Sequence, residues 1–187
     1  SRGLGDVYKR QVYTSHYDHF GMRPGKPGED TIFNGAFDNA SGLGGTLEIA
    51  QALARAGAAP GRSIYFVFTT GEEAGLLGSE YFAAQPPLPM AQVAANINVD
   101  GVNYLGPTRD IVLLGAERSS LGPAARALAE SRGRIVSGDP DPGRGYFFRS
   151  DHFPLAKAGV PAVSIGEPVE FLTGKAEALA ARETYQE

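Results

Sequence analysis

An α/β layer fold is predicted for this 187-residue chain. Strand-like and helix-like segments alternate along it with short links, which is the pattern of a sheet flanked by helices. No internal repeat is visible and nothing marks a second domain, so one core is expected, within the reach of a chain this long.

Val12-Tyr13-Thr14 is a short β-branched and aromatic run and predicts a first strand ending at Ser15-His16. Residues 21–35 are rich in Gly and Pro and read as a surface loop. Ser41-Gly42 opens an apolar series, Leu43, Leu47, Ile49, Ala50, Leu53 and Ala54, at helical spacing, ended by Gly57 and Pro60. Residues 63–70 are nearly continuous in β formers, which suits a central strand covered on both faces. Gly71 breaks that run, and a short helix is expected from Leu76 to Ala84, stopped by Pro86-Pro87. Further strands are expected at Val93–Val99, Ile111–Leu114, Ile135-Val136 and Pro161–Ile165. Helices are expected at Leu121–Ser131, after the Ser119-Ser120 cap region, and at Phe153–Ala158.

The bulk numbers narrow the function. With 42% hydrophobic and 20% charged residues the composition is that of an ordinary globular protein. A formal net charge of -4 offers nothing to nucleic acid or to an anionic membrane surface. No apolar run approaches the roughly 18 residues of a membrane span. Cysteine is absent, so any metal must be held by His and carboxylates, and only three His are available. Residues 1–11 lack an initiator Met, a secretory apolar segment and apolar periodicity. The string Asp6-Val7-Tyr8-Lys9-Arg10-Gln11 matches a translated sequencing-library adapter, the alternative being a polar N-terminal arm. At the other end the chain stops inside a helical pattern, Lys175 to Gln186, with no cap or stop signal. The expectation is a non-native leader over 1–11 and an incomplete catalytic domain over 12–187.

Acidic residues and His gather where the predicted strands end, which is where α/β folds bind ligands. His16-Tyr17-Asp18 follows the first strand. A His there can bind metal through one ring nitrogen while the other donates to a carboxylate that fixes its tautomer; a polar loop is the plainer alternative. Asp38 stands just before a helix and could cap it, but Asn39 and Ser41 could do so equally. Glu72-Glu73 follows a hydrophobic strand; two adjacent carboxylates there repel and resist desolvation, which a cation relieves. The alternative is a solvated pair favouring the next helix N-terminus. Asp100 leaves the 93–99 strand in the same way, and Asp151-His152 forms a late pair after Arg149-Ser150. The Gly-Leu-Gly-Gly run at 42–45 lacks the Gly-Lys-Ser/Thr ending of a phosphate loop.

The order and spacing of these pieces resemble the di-zinc exopeptidases grouped with bacterial leucyl aminopeptidases, glutamate carboxypeptidase and the transferrin receptor. The likeness runs from about Val12 to the end and is most specific in the Gly35–Gly42 and Gly71–Ser79 blocks. It implies a three-layer α/β/α sandwich around a mixed, mostly parallel sheet. It also implies a metallopeptidase of the aminopeptidase type, with two zinc ions per complete domain and a peptide or aminoacyl substrate. Carried over by position, His16 and Asp100 would hold one zinc, Glu73 the other, and Asp38 would bridge. Glu72 would be the general base and Asp18 would orient His16. The family's last ligand is a His in a later Tyr-His motif. This chain has no His after His152, so the fifth ligand is expected beyond residue 187, with Asp151 and His152 lining the pocket or supporting the site. The competing view makes His152 that ligand. His19 receives no role, and export is favoured by the resemblance alone.

Three other functions fit the same residues: a single-zinc cyclase acting on N-terminal Gln, an amidohydrolase of small acylated amines, and a receptor-like relative without catalysis. The retained Asp38, Glu72, Glu73 and Asp100 argue against the last.

Overall fold

A computed structural model describes residues 9–57, 60–172, 174, 177 and 180. Most of the 175–186 helical pattern, like residues 1–8, lies outside the described residues. Among the described residues six strands form one sheet: β1 (Arg10–His16), β2 (Ile64–Thr69), β3 (Val93–Val99), β4 (Asp110–Leu114), β5 (Ile135–Ser137) and β6 (Ala162–Gly166). Their order is β2-β1-β3-β6-β4-β5. All neighbours are parallel except β4 and β6. The helices include α1 (Gly42–Arg55), α2 (Leu77–Ala84), α3 (Leu121–Glu130) and α4 (His152–Lys157). Strand and helix positions follow the sequence pattern closely, because the strands after β1 are largely β-branched or apolar runs with Gly or Pro close to their ends. The first strand starts earlier than expected, with Gln11 opposite Ile64.

Alternation of side chains across the sheet separates its faces. Val12, Val93, Leu155 and Val160 form a buried cluster joined by Val67, Phe82 and Met90, so α2 and α4 cover one face. Helix α1 packs against β1, β2 and β3 without contributing to that cluster. Its buried positions are Gly42 and Thr46, one turn apart, while Leu47 is 52% exposed. Small residues therefore set how closely α1 lies on the sheet, and part of the predicted apolar stripe faces out.

One expectation is corrected. The run at 63–70 forms not a central strand but the edge strand β2 among the described residues, and its Tyr65 is 36% exposed. A continuous apolar run reports that both faces are partly covered; it carries no information on whether both edges are paired. Of the three capping candidates before α1, Asn39 makes the bond. Ser41 makes no side-chain cap bond, and its hydroxyl donates instead to the Phe37 carbonyl. Asn39 Oδ1 accepts from the Gly42 N–H at 3.1 Å.

The sheet interior beneath the strand ends is unusually polar. Thr14 donates to Asn98 Oδ1 at 2.7 Å. Asn98 donates in turn to Ser150 at 2.7 Å and to Ser164 at 3.1 Å. A network with its bonds made is rigid and costly to rearrange. It ties β1, β3, β6 and the start of α4 into one platform, and the acidic cluster stands on it.

Candidate metal centre

β1, β2 and β3 run parallel, so their C-terminal ends emerge together and bring His16, Glu72-Glu73 and Asp100 to one edge. The His16 ring is 1% exposed. Its Nε2 lies 3.1 Å from Asp100 Oδ1 and 3.2 Å from Asp38 Oδ1. Its Nδ1 is 3.2 Å from the main-chain carbonyl of Asp18, against 3.8 Å to the Asp18 carboxylate. The Asp18 carbonyl is thus the nearer of its oxygens to the ring, and Asp18 Oδ1 also accepts the Glu72 N–H at 3.3 Å.

That turn is tight. Gly71 has φ +72, and a Cβ there would stand 3.1 Å from Leu77 Cβ. The N–H groups of Gly75 and Leu76 both point at the Glu72 carbonyl, at 2.9 and 3.0 Å. Leu76, immediately before α2, has φ 63, a left-handed conformation rare for a side chain of its size. Glu73 projects to His19, whose Nδ1 is 2.6 Å from Glu73 Oε1. Two donor groups result, His16–Asp38–Asp100 and His19–Asp38–Glu73, with the ligand atoms in each within 4.8 Å of one another. Asp38 belongs to both.

The electrostatics favour positive charge at this edge. Burial opposes a charge on His16, yet Asp100 and Asp38 outweigh it and push the imidazole up to about 11. Burial, with Asp100 adding to it, raises Glu72 to about 8. Glu73 is raised by burial and by Asp38, against the pull of His19. Asp100 is opposed by burial too, but hydrogen bonds from His16 and Ser150 leave it below the usual carboxylate range. One imidazole N–H cannot satisfy two carboxylates that both approach the same nitrogen, and Asp38 Oδ1 is buried without a hydrogen bond of its own. A cation can satisfy both. The donors are imidazole and carboxylate only, a set that suits zinc or a similar divalent ion.

Asp151 and His152 lie deeper, both 0% exposed. Asp151 Oδ2 accepts from Thr69 at 2.5 Å, and burial raises its carboxyl. The His152 ring stands edge-on to Phe147 at 4.8 Å, and burial lowers it to about 4. Among the described residues His152 joins neither donor group. His19, which sequence alone gave no role, does; the available signal was the doubled spacing in His16-x-Asp18-His19. Ser150 was likewise missed as the donor to Asp100 Oδ2, at 2.6 Å.

Beside the cluster opens a cleft lined by Phe37, Gly101, Val102, Tyr104, Leu105 and Phe171. The Phe37 and Tyr104 rings meet edge to face at 5.3 Å. The far wall is fixed by Asp110, fully buried, whose two oxygens each accept a backbone N–H at 3.0 Å, from Val169 and Glu170. Phe37 and Gly101 are chain neighbours of Asp38 and Asp100, so the cleft begins where the cluster stops.

The family model described as peptidase family M28 matches residues 6–186. A probable leucine aminopeptidase of Arthroderma otae is 32% identical over 139 residues, covering 72% of this chain and 38% of that protein. The curated relatives it matches are much longer, and the chain spans 33% to 38% of their length. Among solved structures, an aminopeptidase from Aneurinibacillus sp. strain AM-1 has a TM-score of 0.61 at 24% identity, covering 87% of this chain and 36% of that one. Porphyromonas gingivalis glutaminyl cyclase has a TM-score of 0.58 at 22% identity, covering 87% and 60%. Both likenesses bear on the fold, a mixed and mostly parallel sheet with helices.

Proposed function

The chain belongs to peptidase family M28, and from that premise we propose that it carries the site of a two-zinc aminopeptidase. In this reading His16 and Asp100 hold one ion, Glu73 holds the other, Asp38 is shared and Glu72 is the general base. The observation that carries it is the sharing of Asp38 between two donor groups. A lone cation needs only one such group. The second group also weighs against the single-zinc cyclase. Its third donor among the described residues is His19, which competes for that place with the later Tyr-His imidazole that the resemblance implies.

When bound, the two cations polarise the scissile carbonyl, acidify the attacking water and lower the proton affinity of the carboxylates around them. Glu72 sits beside Glu73, and burial raises both carboxyls, that of Glu72 to about 8. It takes the proton from water and returns it to the leaving amine.

The test is Glu72→Gln in the zinc-loaded protein. Turnover of aminoacyl-nitroanilides should fall by about 10²–10⁴, the usual worth of a general base, with zinc content unchanged. Loss of zinc along with activity would make Glu72 a ligand and overturn the assignment. Release of cyclised product from Gln-initiated peptides, without hydrolysis of leucyl substrates, would favour the cyclase instead.

A further inference from the structure

The residue that holds the first donor group in shape is an uncharged one. Asn39 is 1% exposed, and its amide uses all four of its hydrogen-bonding positions. Nδ2 donates to Ser15 Oγ and to the Val99 carbonyl, each at 3.2 Å. Oδ1 accepts the N–H of Gly101 at 2.8 Å and that of Gly42 at 3.1 Å. Ser15 precedes His16; Val99 and Gly101 flank Asp100; Asn39 itself follows Asp38. One side chain therefore binds the three segments that present His16, Asp38 and Asp100, and also the first turn of α1.

The surroundings are shaped for that amide. A Cβ on Gly42 would run into Asn39 Oδ1 and stand 2.6 Å from the Val99 carbonyl. Gly101 has φ +76, and a Cβ there would come within 2.9 Å of Phe37 Cζ. Both glycines let the backbone approach where a side chain would hold it off. An aspartate at 39 would have the same shape but no N–H, and would turn a carboxylate onto the Val99 carbonyl beside Asp38 and Asp100.

We infer that Asn39 is a positioning residue whose amide sets the spacing of His16, Asp38 and Asp100, and thereby the affinity of the first cation site. The inference rests on the zinc reading proposed above. Groups that orient ligands without touching the metal are worth roughly 10–100-fold in affinity.

The chain itself is tested, with zinc affinity measured by competition against a chromophoric chelator. The visible spectrum of the cobalt-substituted protein reports the geometry. Asn39→Ala and Asn39→Asp should weaken the first zinc site about 10–100-fold and alter the cobalt spectrum. Asn96 supplies the control, being equally buried and donating to the Val12 carbonyl and to Thr14, away from the ligands. Asn96→Ser should lower thermal stability while zinc affinity stays within about threefold, since the bonds it loses reach β1 two and four residues before His16 and leave those at Ser15, Val99, Gly101 and Gly42 in place. Should the Asn39 variants fail to fold, Ser15→Ala removes a single bond of the four and should still weaken zinc several-fold. Wild-type affinity and spectrum in folded Asn39→Ala, or in Ser15→Ala where Asn39→Ala does not fold, would overturn the inference. Absence of zinc binding in the folded wild type would instead overturn the reading on which it rests.

Discussion

Glu72 makes the metal-free protein pH-sensitive in a direction that can be worked out. Its carboxyl is raised from 4.5 to about 8, first by burial and next by Asp100. A folded value above the unfolded one means the protonated form is the one the fold accommodates. Below about pH 4.5 Glu72 costs the fold nothing. Between about 4.5 and 8 the unfolded chain ionises first, stability drains away, and above about 8 the full penalty is present. At 1.36 kcal/mol per pH unit the displacement bounds this penalty at about 5 kcal/mol. Glu72 is only partly buried, so solvent screening reduces it to about 1–3 kcal/mol. Glu72→Gln keeps the shape and removes the charge. Metal-free Glu72→Gln should therefore be more stable than wild type by about 1–3 kcal/mol at pH 8.5 and nearly equal to it at pH 4.5. Urea unfolding in the presence of a chelator, at both pH values, measures this. A variant that is destabilised at pH 8.5, or stabilised equally at both, would refute the reasoning.

Other outcomes follow from the same geometry. Zinc binding near pH 7 should release one to two protons per chain, because His16 at about 11 and Glu72 at about 8 both hold one beforehand. Calorimetry in buffers of different ionisation enthalpy counts them, and release of none would contradict the cluster's charge state. Ser150→Ala removes the 2.6 Å bond to Asp100. Asp100 should then hold its proton to higher pH, and the acid limit of zinc binding should move up with it. His19→Ala should lower second-site zinc affinity and leave the first site intact; His152→Ala should cost stability through lost packing on Phe147 but keep both ions. Loss of an ion in His152→Ala would restore His152 as a ligand.

How much was legible in the sequence varies with how local the cause is. His16, Glu73 and Asp100 could be placed at strand ends, and Asp38 just before a helix, because the strand or helix character is written in neighbouring residues. Their gathering then follows from parallel strands. The edge position of β2 could not be read, because pairing along an edge depends on residues far away in the chain. Asn39 was visible only as a capping candidate. Its three other bonds reach 24, 60 and 62 residues along the chain, and no local pattern encodes them. Asp18 shows the opposite limit. The His-x-Asp spacing announced a contact with His16 but not whether carboxylate or carbonyl would make it, since both atoms lie within reach of the same ring nitrogen.

The most direct measurement of the central claim is the number of zinc ions bound by the wild-type chain and by Asp38→Asn, counted by elemental analysis after dialysis at a fixed free-zinc level. Asp38 is the one residue common to both donor groups. Two ions on the wild type, and a loss of affinity at both sites from this single substitution, are predicted. A folded wild type with no zinc, or an Asp38→Asn variant that keeps both ions at wild-type affinity, would contradict the account.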